Sequence, residues 1–205
     1  MTEQKAHRLS KHISVIYELV YDQYHGLLRH RESRMLHQHR SAYARMFGHM
    51  LFDVPTTFTG HISIQLLELK LSDFFVRGTP EHFMSRQRGG DVLLDLISRS
   101  ASDLSPPTYQ QVSDIVVEYS HVHYVTKEEN GALRLFQQNC SSEAAYNRAG
   151  VVLVEAGELF TYRGRKTASW RASMIQKYKP TVDAYYSTDY IEQTQVPHIE
   201  PNVLY

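Results

Sequence analysis

The chain has 205 residues, 42% apolar and 21% charged, and its 22 Lys+Arg balance 22 Asp+Glu. This composition is globular; it excludes a collagen, a disordered tail protein and a disulfide-stapled mini-protein, and zero net charge argues against a generic polyanion binder. The longest apolar runs are about four residues, as in Val151-Val152-Leu153-Val154, far short of the ~20 that a membrane helix needs. A single cysteine, Cys140, permits no internal disulfide. The opening Met1-Thr2-Glu3-Gln4-Lys5 is polar, unlike a secretory leader, so a soluble, cytoplasmic protein is expected.

From Ser10 to Leu51 the apolar period is helical. Ile13, Ile16, Tyr17, Val20, Tyr24, Leu27 and Leu28 form one stripe, and Met35, Leu36, Ala42, Met46, Phe47 and Met50 a second. They meet in polar residues 30–34, which predicts two helices, or one long bent one. The period then falls to two: Ile62, Ile64 and Leu66 alternate with polar residues, then Leu67, Leu69 and Leu71 do so in the opposite parity, as in a bulged strand or two short ones. Thr79-Pro80-Glu81 reads as a helix start, with that helix running to about Ser100 and Gly89-Gly90 as its weak spot.

After the Ser105–Thr108 loop, residues 112–126 are rich in β-branched and aromatic side chains and predict a strand. Asn130-Gly131 signals a hairpin turn into a strand at 133–138. A short helix is expected at Ser142–Arg148, a strand at Val151–Tyr162, a turn at Arg163-Gly164-Arg165 and a last strand at Thr167–Tyr178. Residues 1–178 then form a single α+β domain, and 179–205 an extended, proline-punctuated tail. The expected architecture is a curved, cone-like antiparallel sheet of about five strands on two to three helices.

The stretch Gly157-Glu158-Leu159-Phe160-Thr161-Tyr162-Arg163-Gly164-Arg165, leading into Ser169-Trp170-Arg171-Ala172, resembles the last hairpin of the nuclear-transport-factor-two-like superfamily. That superfamily includes ketosteroid isomerases, polyketide cyclases and scytalone dehydratases, and the expected element order is similar to theirs. The resemblance implies a conical sheet with a pocket. It implies no single activity, because such folds also serve as binding and dimerisation modules.

Twelve histidines are many for this length. On an expected strand 115–125, Tyr119, His121 and His123 stand two apart and face one way. Lining a cavity, they would offer two imidazoles and a phenol for acid–base work at neutral pH. The competing reading leaves them on a solvated strand face. His121-x-His123 is also a two-ligand platform for zinc, with His61 as the third ligand to test. His12-x-Ser14 and His61-x-Ser63 match the paired motifs of two-histidine phosphoesterases, but His12 falls in a helical stretch.

Residues 25–49 carry Arg29, Arg31, Arg34, Arg40 and Arg45 against Glu32 alone, with five histidines besides. Such a surface suits RNA, an anionic membrane or an acidic partner. Pro106-Pro107-Thr108-Tyr109 matches the Pro-Pro-x-Tyr ligand of WW domains. Tail tyrosines Tyr185, Tyr186 and Tyr190 sit among acids, a context that suits either a kinase substrate or a packed strap.

The leading expectation is a pocket domain for a small apolar or aromatic ligand, homodimeric through an open sheet face. Its acid–base groups are His121 or His123, with Tyr119 as hydrogen-bond donor and Asp53 as second acid–base group. Trp170, Met174 and His61 line the pocket, and no cofactor or metal is required. The alternative is a non-enzymatic interaction or structural protein, similar to viral matrix proteins. It uses the basic surface of residues 25–49, with Arg31, Arg34 and Arg40, and the Pro106, Pro107 and Tyr109 loop.

Overall fold

The two N-terminal stripes make two helices, as their spacing predicts. In the computed structural model, which describes residues 3–30, 33–137 and 141–187 (30 and 33–39 by backbone alone), α1 spans Glu3–His30 and α2 spans Ser33–Met50. With α4 (Arg86–Ser102) and α5 (Tyr109–Ser120) they enclose a core that includes Ile16, Val20, Phe47, Leu93, Ile97 and Val116. Gly89-Gly90 is a helix–helix contact and not a weak spot. Both glycines are buried, and a Cβ on Gly90 would overlap the carbonyl oxygen of Ala44 in α2.

The α+β class holds, but the sheet is four-stranded, mixed and open. Strands β1 (Thr57–Ser63), β2 (Thr79–His82), β3 (His121–Val125) and β4 (Leu153–Glu155) lie in the order β2-β3-β1-β4. The central pair β1–β3 is parallel and both outer pairs are antiparallel. One face packs on α3 (Ile64–Ser72), α8 (Glu158–Thr161) and α9 (Ala168–Tyr186), through Ile62, Leu66, Leu159, Met174 and Tyr178. On the other face, Val125 packs with Leu133 of α6 (Lys127–Phe136) and Tyr146 of α7 (Ser142–Arg148). The open sheet face expected for a homodimer is therefore partly roofed by α6 and α7.

Several expected strands are helices, and capping explains most of the difference. Residues 109–120 form α5 because Thr108 and Gln111 make a capping box, so only His121–Val125 of the expected strand is extended. Thr126 and Glu129 make a second box, which starts α6 and carries Asn130-Gly131 inside a helix. Ser63 caps α3, so the parity flip at Leu66-Leu67 marks neither a bulge nor a second strand but a helix with both leucines buried. Thr79-Pro80 lies on edge strand β2, where the missing proline N–H costs no ladder bond, and the following helix starts at Ser85 instead.

The expected final hairpin is α8, a loop and α9, the last capped by Thr167. Helix α9 runs on through Pro180 to Tyr186, past the expected start of an extended tail, because Tyr178 and Val182 on either side of the proline are buried. The helix at Ser142–Arg148 has the expected bounds. No described helix is long and apolar enough to cross a membrane. Cys140 and residues 188–205, Tyr190 among them, lie outside the described residues.

Candidate active site

The parallel pair β1–β3 has an irregular register. Phe58 pairs with Val122, but Ile62 pairs with Tyr124, so four steps along β1 match two along β3. Gly60 sits in this bulge at φ +93, a conformation that side-chain-bearing residues rarely adopt. The bulge sets His61, instead of Thr59, beside His123. Their ring centroids are 5.7 Å apart.

The outer strands extend this contact into a row. Glu81 of β2 pairs with His123, and Glu155 of β4 pairs with His61. Directly opposed residues share a face. One rung of the sheet therefore reads Glu81, His123, His61, Glu155. Phe83 and Tyr146 close over His123, with ring centroids 5.2 and 5.6 Å away. His61 is half-buried and Glu155 exposed, whereas His123 is 7% exposed.

A second polar group adjoins the row. Ser63, two residues beyond His61, donates to Glu129 Oε2 at 2.5 Å, and the Thr126 N–H donates to the same oxygen at 2.8 Å. Of the four buried side-chain polar atoms with no hydrogen-bond partner among the described residues, three lie here: His123 Nδ1, Glu129 Oε1 and Tyr146 Oη. Buried polar atoms are nearly always paired, so three beside one imidazole pair set this face apart.

Burial, then the neighbouring His61 and His121, push the His123 imidazole down to about 4. It is neutral at neutral pH and able to accept a proton. Burial also pushes the Glu81 carboxyl up, against hydrogen bonds from Gln137 and Asn130 and the charges of His82 and Arg134. Burial raises the Tyr146 phenol too, and the nearby Glu81 and Glu129 raise it further. A cleft of about 560 Å³ opens beside the row at the β1–β4 edge, lined by Thr59, Gly60, Glu155 and Lys177 among others. Thr59 Oγ1 lies 3.3 Å from His61 Nδ1, which links cleft and imidazole.

The structure keeps part of the expected site and disperses the rest. His61, His121 and His123 are on the sheet, but Tyr119 is not. It belongs to α5, is buried in the helical core, and stacks on His82 at 4.5 Å. Its phenol is pushed up to about 12, mainly by burial. Asp53 is exposed in a short 3₁₀ turn after α2. Trp170 and Met174 lie on one face of α9 and pack in the core on the opposite face of the sheet, not in a shared pocket with His61. Among the described residues no three His, Cys, Asp or Glu are grouped to hold a metal ion. His12 lies on α1 and not on a strand beside His61.

The expected partner surfaces have structural duties. Arg40 pairs with Asp95 at 2.9 Å and with Asp91 at 3.8 Å, joining α2 to α4. Arg29 and Arg45 donate to carbonyls of their own helices. Arg31 and the side chain of Arg34 lie outside the described residues. Pro107 is buried, Thr108 caps α5 and Tyr109 is helical, its ring against Tyr17 at 5.5 Å. Pro106 and Thr108 border a separate cleft of about 420 Å³ between α4 and α5.

Sequence reasoning missed Glu81, Glu129 and Tyr146 as site residues, and named Ser63 only within the His61-x-Ser63 motif. The capping-box spacing Thr126-x-x-Glu129 was the available signal for Glu129. Comparison of the chain with protein-family models, with curated proteins and with solved structures gives no match.

Proposed function

We propose that this chain binds a small molecule over the polar face of its sheet and moves protons on it with His61 and His123. One observation carries the reading: two imidazoles in contact, one of them buried, neutral and with an unpaired nitrogen. A neutral imidazole keeps a lone pair free to accept a proton, although burial makes it a weaker base than a solvated one, and a more exposed neighbour offers a second group to carry protons. In this scheme His123 takes the proton and His61 returns one to the substrate. Tyr146 supplies a hydroxyl donor for a developing oxyanion, and Phe83 with Tyr146 supplies apolar wall. The reaction class is proton transfer at carbon, as in an isomerisation, dehydration or cyclisation.

Proton–deuterium exchange at carbon tests this without the natural substrate. The protein is incubated in D₂O with a panel of small aromatic ketones, and α-proton loss is followed by NMR. Exchange above background with the wild type, and its loss in the His61→Gln/His123→Gln double variant, is the expected result. Equal exchange in both, or none in the wild type, contradicts the proposal.

A further inference from the structure

Where α8 leads into α9, Tyr162 at the end of α8 folds back on the first turn of α9, and that turn packs on the α3–β2 loop. Tyr162 stacks face to face on Trp170, with centroids 4.8 Å apart and planes at 16°. Trp170 meets Phe74 edge-on at 5.6 Å. The Arg171 guanidinium lies 5.7 Å from the Phe74 ring and 5.2 Å from that of Phe75, and Lys166 Nζ lies 5.9 Å from that of Trp170. Aromatic rings and cations thus interleave continuously from Tyr162 to Phe75.

The two ends of this cluster are open to solvent while Phe74 between them is buried, and its charge is one-sided. Phe75 is 72% exposed and Tyr162 42% exposed. Leu159 to Gln176 contains Arg163, Arg165, Lys166 and Arg171 and no Asp or Glu. Arg77 follows two residues after Phe75, and the acid in that loop, Asp73, is engaged by the Phe75 N–H. None of Arg77, Arg163, Arg165, Lys166 or Arg171 forms an ion pair with a described residue. The Arg171 Nε is buried and unpartnered among them. The Tyr162 phenol lies against Gly164, in the space a Cβ there would take.

We infer that this platform binds single-stranded nucleic acid. Exposed aromatic faces offer stacking to unpaired bases of any sequence, and unpaired cations alongside offer contacts to the phosphates. A duplex hides its base faces, and an anionic membrane has none. Charge complementarity and ring geometry therefore favour the single strand over both. Zero net charge for the whole chain does not oppose this, because the balancing acids lie outside the Leu159–Gln176 segment.

Trp170 is the chain's one tryptophan, so it reports on its own site. The full chain is titrated with a fluorescein-labelled 12-nucleotide oligo(U) at low salt, with anisotropy and tryptophan emission read together. Binding with quenched emission is expected. Phe75→Ala and Tyr162→Ala are each expected to weaken it about tenfold. Arg163→Gln/Arg165→Gln is expected to lower the log–log salt slope by about 1.4, at about 0.7 for each phosphate contact. Phe75 and the two arginines are exposed, so these variants test binding and not folding. The inference is overturned by no binding, by binding indifferent to Phe75→Ala, by equal binding of a 12-base-pair duplex, or by a preference for phosphatidylserine vesicles.

Discussion

His61 stands beside His123 because Gly60 is bulged. The residue opposite His123 in a regular continuation of the Phe58–Val122 register would be Thr59, and the extra residues at Gly60 advance β1 so that His61 takes that place. A single left-handed glycine thus turns a threonine–histidine neighbourhood into an imidazole pair.

Gly60→Ala places a Cβ at φ +93 and is expected to destabilise the fold by ~1–2 kcal/mol. Gly157→Ala attacks the same bulge from outside, since its Cβ would lie 2.8 Å from the Gly60 Cα, where Ala156 N–H also bonds the Gly60 carbonyl. Thermal melts measure the first effect. Loss of the nuclear Overhauser contact between the two imidazoles in either variant measures the second.

Acidification is expected to weaken the fold through His123. Its folded-state pKa of about 4 lies below the unfolded value of 6.5, so the unfolded chain binds more protons between those limits. Stability from this group is full above pH 6.5 and falls as the pH drops towards 4. The raised Glu81 works in the opposite sense, since its contribution is lost as pH rises through its folded pKa. Comparing denaturation midpoints of wild type and His123→Gln from pH 7 to 4 isolates the histidine. The wild type should lose stability more steeply than the variant.

Ser63 and Thr126 act through one carboxylate. Thr126→Ala removes a cap from α6 and should cost ~1 kcal/mol. Ser63→Ala removes a donor to buried Glu129 and the cap of α3 together, and should cost ~1–3 kcal/mol. A double-mutant cycle by urea denaturation should show coupling of ~0.5 kcal/mol or more, because Thr126→Ala takes the acceptor from the backbone N–H of Glu129, the residue whose carboxylate Ser63 holds.

Two glycines in helices should respond with opposite signs. Gly26→Ala in α1 has open space around its Cβ and should stabilise by ~0.5–1 kcal/mol. Gly90→Ala must push α4 off Ala44 and should destabilise by ~1–3 kcal/mol. Chemical denaturation of the two variants checks the pair.

What the sequence made legible was set by the range of the signal. The stripes of α1 and α2 and the capped helix Ser142–Arg148 are local and were readable. The helices α5 and α9 were masked by β-branched and aromatic residues that suit either state, although Thr108-x-x-Gln111 announced one. The four-residue steps Trp170, Met174, Tyr178 and Val182 announced the other. A last strand at Thr167–Tyr178 fits the same residues to the wrong period: it would turn Ala172 inward with Trp170 and Met174, and Ala172 is exposed. His61 and His123 are 62 residues apart and meet through a parallel, bulged register, for which no local pattern exists. Thus the sequence offers His61 as a third zinc ligand, a pocket-lining residue and part of a His-x-Ser motif, but not as half of an imidazole pair, and it keeps Tyr119 in a row that a helix boundary breaks.

The most direct measurement is a pH titration of the His123 Cε1–H signal by NMR, in the wild type and in His61→Gln, with His123→Gln supplying the assignment. A buried base held neutral beside a second imidazole should titrate at about 4 and move upward when His61 is removed. A midpoint near 6.5, unchanged by His61→Gln, would contradict the imidazole pair and the acid–base chemistry built on it.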